Sequence, residues 1–233
     1  MNAAIMQPYL FPYIGYFQLI KAVEKFVFLD DVNFIKKGWI NRNQILINNQ
    51  AYLFTVPLQK TSQNILIKET KISYNEDWIE KLLKNLKNNY KKAPHFQTIF
   101  SLIENILYKK FNSISYLARQ SIQEVSNYLE IKTDFKVSSE NYLDTINLKK
   151  EKRLIEICKQ TKCTEYVNPI GGKEIYEKND FELRGVKLNF IQNNVDYYKQ
   201  FSSDFIGGLS IIDVLMFNSK EEVRKMLNNY ELI

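Results

Sequence analysis

Met6-Gln7-Pro8-Tyr9-Leu10-Phe11-Pro12-Tyr13-Ile14-Gly15-Tyr16-Phe17 is the stretch whose reading decides the fold. The apolar residues Ala3 to Met6 ahead of it read as a buried strand, and Phe17, Leu19, Ile20 and Val23 behind it have helical spacing. Pro8 and Pro12 between them fix φ and cannot donate to a strand ladder. The chain is therefore forced into a defined loop between a strand and a helix, and that is where open α/β sheets hold ligands. Tyr9, Phe11, Tyr13 and Gly15 crowded on one bend suggest a pocket wall.

The next segment extends this reading. Lys25 to Leu29 looks like a second buried strand, ending in Asp30-Asp31-Val32-Asn33-Phe34. After Lys36-Lys37-Gly38 comes Trp39-Ile40-Asn41-Arg42-Asn43. The short strand–helix–strand spacing favours a parallel pair with a right-handed crossover. Both polar loops would then open on the same edge of the sheet.

Further along, Ile45 to Leu58 alternates around Asn48-Asn49-Gln50, as a β-hairpin would. Ile65 to Ile72 reads as another strand. Helical spacing follows over Trp78 to Tyr90, with Asn75 as a cap, then over Phe96 to Leu107 and Ser115 to Leu129. These make a helical insert at about 76–130. Val137 reads as a strand end, Lys149 to Lys162 as a helix, and Glu165 to Pro169 and Gly185 to Ile191 as strands. Ser210-Ile211-Ile212-Asp213 matches a capping box, and Lys220 to Tyr230 is an amphipathic closing helix. No repeat or linker interrupts the 233 residues. The expected fold is one α/β domain with a parallel-containing sheet, a mostly helical insert and a C-terminal helix.

Composition excludes several classes. No apolar run is long enough to span a membrane and no signal-peptide pattern opens the chain, so a cytoplasmic protein is expected. Cys158 and Cys163 are too few for a disulfide scaffold, lie on different helix faces, and have only His95 as a distant companion. They read as helix packing, and no metal site is expected. The net charge of +6 suits a small anionic ligand. The Lys-Lys pairs are scattered and no nucleic-acid-binding spacing occurs, so nucleic acid is not an expected partner.

The candidate residues each carry two readings. Asp30 and Asp31 suit a general base or a magnesium ligand, but adjacent strand residues point to opposite sides, so one would face the pocket and the other cap a turn. Arg42, between Asn41 and Asn43, has the fork for a carboxylate or phosphate, and Trp39 could stack on a base or sugar; the alternative is an arginine paired with Asp30 or Asp31. Gly171-Gly172-Lys173, near Asn168 and Tyr176, is either a phosphate-approaching loop or a turn, and it lacks the Walker A pattern. His95 is either an acid–base group or a helix-start residue. Tyr197 to Phe201 would pack against the first loop or line the site. Ser138-Ser139 has no nucleophile elbow.

Taken together these residues resemble the WbqC-like protein family. The resemblance rests on Gln7-Pro8-Tyr9 with Pro12, Gly15-Tyr16-Phe17, Asp30 to Phe34, Trp39 with Asn41 to Ile45, and Tyr90 with Ala93-Pro94. It continues through Ser138-Ser139, Arg153-Leu154, Ile157-Cys158, Tyr166, Gly171-Gly172, Tyr176, Tyr197, Gln200 and Leu209 to Asp213. It implies a bacterial setting in O-antigen and other surface-polysaccharide assembly, and amide formation by aminoacyl or acyl transfer on a nucleotide-linked amino sugar. On that implication Gln7, Tyr9, Tyr13, Gly15, Tyr16 and Trp39 would bind sugar or base. Arg42 and Lys173 would hold phosphate or carboxylate, and Asp30 or Asp31 would orient or deprotonate the amine. The family often carries a histidine before Gln-Pro; Met6 stands there, so that acid–base role is absent.

The first loop is more loosely similar to HUP-type nucleotidyltransferases and pantothenate-synthetase-like amide ligases. The histidines of those enzymes correspond to Tyr13 and Tyr16, which carry no positive charge at neutral pH. An ATP-dependent adenylating ligase using magnesium is therefore one alternative, and a non-catalytic nucleotide-sugar-binding accessory protein is another. No cofactor is evident from the residues themselves.

Overall fold

The structure, a computed structural model, describes residues 1–59, 64–194, 197–201 and 204–233. The chain begins β1 (Asn2–Met6), α1 (Ile14–Lys21), β2 (Lys25–Phe28), then β3 (Arg42–Ile47) and β4 (Gln50–Thr55). Three helices follow, α2 (Trp78–Tyr90), α3 (Phe96–Leu107) and α4 (Ile114–Tyr128). Next come β5 (Asp134–Val137), α5 (Ser138–Asn141), α6 (Lys150–Gln160), β6 (Glu165–Pro169), α7 (Lys178–Glu182) and β7 (Lys187–Asn193). The chain closes with α8 (Ile211–Phe217), α9 (Lys220–Met226) and β8 (Tyr230–Leu232).

The main sheet has the order β5-β2-β1-β6-β7-β8, parallel except for β8, which runs antiparallel to β7. Counted in chain order, its strands stand 3-2-1-4-5-6. The chain starts in the middle, steps outward on one side, and returns to step outward on the other. The order reverses between β1 and β6, which makes that junction the topological switch point of a doubly wound sheet.

Side-chain alternation explains why both faces are covered. Ala4, Phe26, Phe28, Val167 and Ile191 face one core, shared with α1, α8 and the three-helix insert. Ile5, Val27, Tyr166, Leu188 and Phe190 face the other, shared with Leu154, Ile157 and Cys158 of α6 and Phe181 of α7. Strands buried on both sides need continuous apolar runs, and these have them. Both cysteines are free and buried, and burial pushes the Cys158 thiol up to about 12.

The hairpin β3–β4 turns at Asn48 and Asn49, with φ of 49° and 59°. Asparagine tolerates the left-handed conformation that a two-residue hairpin turn requires. Four local expectations fail. Ile65–Ile72 forms no strand: the N–H of Ile67 donates to Val32 O and that of Lys68 to Asp30 O, both at 2.9 Å, around a 3-10 turn at Ile67–Glu69. Asp77, not Asn75, occupies the cap position of α2. Ser210 caps α8, but Asp213 turns away from the box. The closing helix stops at Met226, because Tyr230–Leu232 pairs with β7 as β8. Among the described residues no helix is long and apolar enough to cross a membrane.

Candidate functional site

Strand register brings the sequence-selected loops to one edge. Met6 pairs with Phe28, and Phe28 with Val137, so Gln7, Asp30 and Ser138 follow three adjacent strand ends. The pairing of Ala3 with Tyr166 puts Met6 level with Pro169, so the Ile170–Glu174 turn leaves the sheet beside Gln7.

The loop after β1 is held at every peptide from Leu10 to Pro12. The Leu10 N–H donates to Trp39 O at 3.2 Å, and the Phe11 N–H to Ser121 Oγ at 3.0 Å. Asn43 Nδ2 donates to Leu10 O at 2.9 Å and to Phe11 O at 2.8 Å. Ser210 Oγ also donates to Phe11 O at 2.7 Å, and the Ile211 N–H to Pro12 O at 2.9 Å. This clamp holds Phe11, a bulky non-glycine residue, at φ 40°. Such a conformation costs about 1–3 kcal/mol and persists only where the surroundings over-determine it.

The clamp shapes two cavities. One, of about 240 Å³, lies between Tyr9, Pro12, Tyr13, Trp39, Asn43 and Gly208. The other, of about 180 Å³, includes Ile14, Gln18, Tyr198 and Val214 in its lining and shares Tyr13 and Gly208 with the first. Tyr13 is thus the partition. Its ring lies over Gly15, where a Cβ would come within 2.4 Å of a Tyr13 ring carbon and 3.0 Å of the Asn193 side chain. Tyr16 is buried, donates its hydroxyl to Gln7 O at 2.8 Å, and packs its ring 5.6 Å from that of Tyr9. Burial raises all three phenols, with neighbouring tyrosines adding to Tyr9 and Tyr16, so they act as hydrogen-bond donors rather than bases.

Behind the second cavity, Asp213 is fully buried and accepts from Tyr90 Oη at 2.7 Å, Tyr198 Oη at 2.6 Å and Gln200 Nε2 at 2.8 Å. Burial raises its pKa, against the three donors, which lower it. Gln200 also binds both backbone groups of Ile206, so this carboxylate ties the segment lining the second cavity to α2 and α8.

Asp30 and Asp31 sit at the same edge in a different kind of cluster. Asp31 is ion-paired with Arg153 Nη2 at 2.6 Å, with both side chains buried, and accepts from Ser138 Oγ at 2.5 Å. Asp30 accepts from Ser115 Oγ at 3.1 Å and from the Ser139 N–H at 3.3 Å. Neither lines the two cavities at the first loop.

The remaining candidates scatter. Arg42 does not pair with Asp30 or Asp31; its Nε donates to Gly38 O at 2.9 Å, its Nη2 to Lys37 O, and its guanidinium lies 5.7 Å from the Trp39 ring. Asn41 Nδ2 donates to Val56 O at 2.9 Å and closes the base of the hairpin. Gly171 and Lys173 are exposed, whereas Gly172 is buried where a Cβ would meet Asn168 Oδ1 at 2.1 Å. Tyr176 packs edge-on against Phe181 on the far side of the sheet. His95 starts α3 and donates its N–H to Met216 O at 3.1 Å. Among the described residues no His, Cys, Asp and Glu cluster could hold a metal.

Ser121, Gly208 and Gln18 belong to the site and were not expected from sequence. Gln18 alone left a signal, a polar residue inside an apolar helix. Its Nε2 donates to Met226 O at 2.8 Å and Asn229 O at 3.0 Å, fixing the floor of the second cavity.

The model of the WbqC-like protein family matches residues 7–225 of the chain. A relative described as "Uncharacterized protein Rv1507c", from Mycobacterium tuberculosis (strain ATCC 25618 / H37Rv), is 32% identical over 220 residues, covering 93% of each chain. No solved structure matches.

Proposed function

The chain belongs to the WbqC-like protein family, and on that premise we propose that it forms an amide on a nucleotide-linked amino sugar during surface-polysaccharide (O-antigen) biosynthesis. The observation that carries the reading is the clamped, strained Phe11 loop at the switch point, flanked by aromatic cavities. Strain held against several partners clusters at functional sites, and switch points are where open α/β sheets bind ligands.

Two cavities either side of Tyr13 support a ligand with two rings, such as a base and a sugar. Trp39 and Tyr9 offer apolar ring faces, and Asn43 borders the first cavity. Lys173, exposed at the neighbouring strand end, would neutralise phosphate. The attacking amine must be neutral, and Asp30, at the adjacent strand end but lining neither cavity, would take its proton only through an intervening water.

A second reading, a non-catalytic protein that binds the same nucleotide sugar, is favoured by one observation: Asp31 is committed to Arg153, and Asp30 to Ser115 and Ser139. Thermal unfolding separates these readings. The panel is ATP with magnesium, coenzyme A thioesters, and uridine and thymidine nucleotide sugars with and without an amino group. A ligand bound by the folded state alone raises the melting temperature. The expected result is a shift with an amino-sugar nucleotide, followed by turnover on adding an acyl donor. A shift without turnover leaves the binder, a shift with ATP alone supports the adenylating ligase, and no shift sinks all three.

A further inference from the structure

The largest cavity described, about 600 Å³, lies away from the switch point, between β4 and the first half of α2. Tyr52, Leu53, Phe54 and Thr55 all line it. Consecutive strand side chains point to opposite faces, so four in a row around one cavity means that it looks onto the strand's edge. The opposite wall is Trp78, Lys81, Leu82 and Asn85, the i, i+3, i+4, i+7 face of α2. The groove is thus an edge strand facing a helix, a cross-section for one extended chain.

Hairpin register says which backbone groups are free. The two-residue turn makes Ile47 and Gln50 a hydrogen-bonded pair, so Tyr52 and Phe54 bond to β3, while Ala51, Leu53 and Thr55 direct N–H and C=O outward. Within the two-stranded sheet β4 pairs only with β3. The segment 71–73 pairs with the chain beyond β4, where the Ser73 N–H donates to Pro57 O at 2.9 Å, but the strand itself carries no sequence protection: Gln50–Thr55 contains no charge, proline or glycine, and Tyr52 and Leu53 are exposed. Lys81 is the one cation among the lining residues, on the helix wall, and the acidic charge is gathered at one end. Glu76 and Asp77 precede α2 at the groove end shared with Pro57, and neither carboxylate makes an ion pair among the described residues.

We propose that this groove binds an extended segment of another polypeptide, which adds to β4 as a third antiparallel strand. The segment has apolar side chains facing the groove and a basic residue at the end beside Glu76 and Asp77. Main-chain bonds to Leu53 and Thr55 supply affinity, and the rim carboxylates set direction. The sequence of β3 supplies a probe of this chemistry. An added antiparallel strand running as β3 does brings an arginine to the Thr55 end, since Arg42 is the partner of Thr55 in the hairpin.

The experiment uses the full chain with Trp39→Phe, so that Trp78 is the remaining tryptophan and reports the groove separately from the first loop. The probe is a blocked peptide of sequence Arg-Asn-Gln-Ile-Leu-Ile. Saturable change in Trp78 emission is expected, weakened about tenfold or more by N-methylation of alternate peptide amides, by Leu53→Pro, and by Glu76→Lys with Asp77→Lys. Leu53→Pro removes an outward N–H and leaves the β3 ladder intact, and the N-methylated peptide tests the ladder without altering the protein. Absence of binding up to about 1 mM peptide overturns the proposal, as does binding indifferent to N-methylation. Concentration-dependent dimerisation abolished by Leu53→Lys also overturns it, because the edge is then taken by a second copy.

Discussion

The loop after β1 and the loop after β2 leave neighbouring strands at the same edge, yet they use polar side chains in opposite ways. After β1, neutral groups from Asn43, Ser121 and Ser210 bind backbone, and the aromatic side chains are left facing cavities. After β2, side chains bind charged side chains: Asp31 pairs with Arg153, and both aspartates accept from the Ser138 hydroxyl. The first arrangement rigidifies a surface and keeps it open; the second fills its own space. Charge density in a sequence therefore marks the tighter knot here rather than the more open site.

Breaking the knot has the largest expected effect. Arg153→Ala leaves the Asp31 carboxylate buried without its counter-ion, which costs about 3–5 kcal/mol. Urea unfolding monitored by circular dichroism measures it. Replacing the pair together, Asp31→Asn with Arg153→Met, should cost clearly less; an equal loss would mean that the pair is not what holds this corner.

Asn43→Ala tests the clamp. It strips two donated bonds from the buried carbonyls of Leu10 and Phe11 and releases the strained residue between Leu10 and Pro12. Phe11 O keeps its bond from Ser210 Oγ, so a loss of about 1–3 kcal/mol is expected, chiefly from the Leu10 carbonyl, together with loss of any ligand-induced rise in melting temperature. Arg153→Ala should lower stability while keeping that rise. If both variants lose the rise equally, the two loops form one functional unit and the contrast fails.

A smaller effect belongs to Asp213, which joins the two styles: one buried carboxylate held by neutral donors. Its pKa is raised in the folded protein, so between the unfolded and folded values the folded state binds more protons. Stability then falls as pH rises through that window and is regained on acidification. Asp213→Asn removes this dependence while keeping one acceptor oxygen, for Tyr198 and Gln200 or for Tyr90 but not for both sets, a loss that does not vary with pH. The stability of the parent relative to Asp213→Asn should increase as pH drops from neutral towards 4, read from urea midpoints at matched ionic strength. A difference that stays flat or shrinks on acidification would contradict it.

The sequence made visible those elements whose period ran unbroken. Helices Trp78–Tyr90 and Phe96–Leu107 and strand Glu165–Pro169 coincide with the pattern, because each packs one continuous face or lies buried on both. The parallel sheet and the convergence of both loops on one edge followed from the strand–helix–strand spacing. The clamp was not legible, since its bonds join residues 32, 110 and 199 positions apart and leave no local period. Arg153 was visible only as part of a pattern, 122 positions from Asp31. Ile65–Ile72 alternates like a strand, but Val32 and Asp30 carbonyls take its amides one at a time and fold it into a turn.

Tyr13→Phe should move stability least and inform the comparison most sharply. The hydroxyl makes no hydrogen bond among the described residues and the side chain is 40% exposed, so its loss should change unfolding free energy by less than about 0.5 kcal/mol. The ring that lies over Gly15 and divides the two cavities is kept. If the phenol donates to a ligand that bridges the partition, the melting-temperature rise from an amino-sugar nucleotide should shrink while the ligand-free melting temperature stays put. That is the inverse of the Arg153→Ala pattern, and the two results together separate a residue facing ligand from one facing the fold. An undiminished rise would make Tyr13 a wall only, and would shift the recognition of polar ligand groups to Asn43 and the Gly208 backbone.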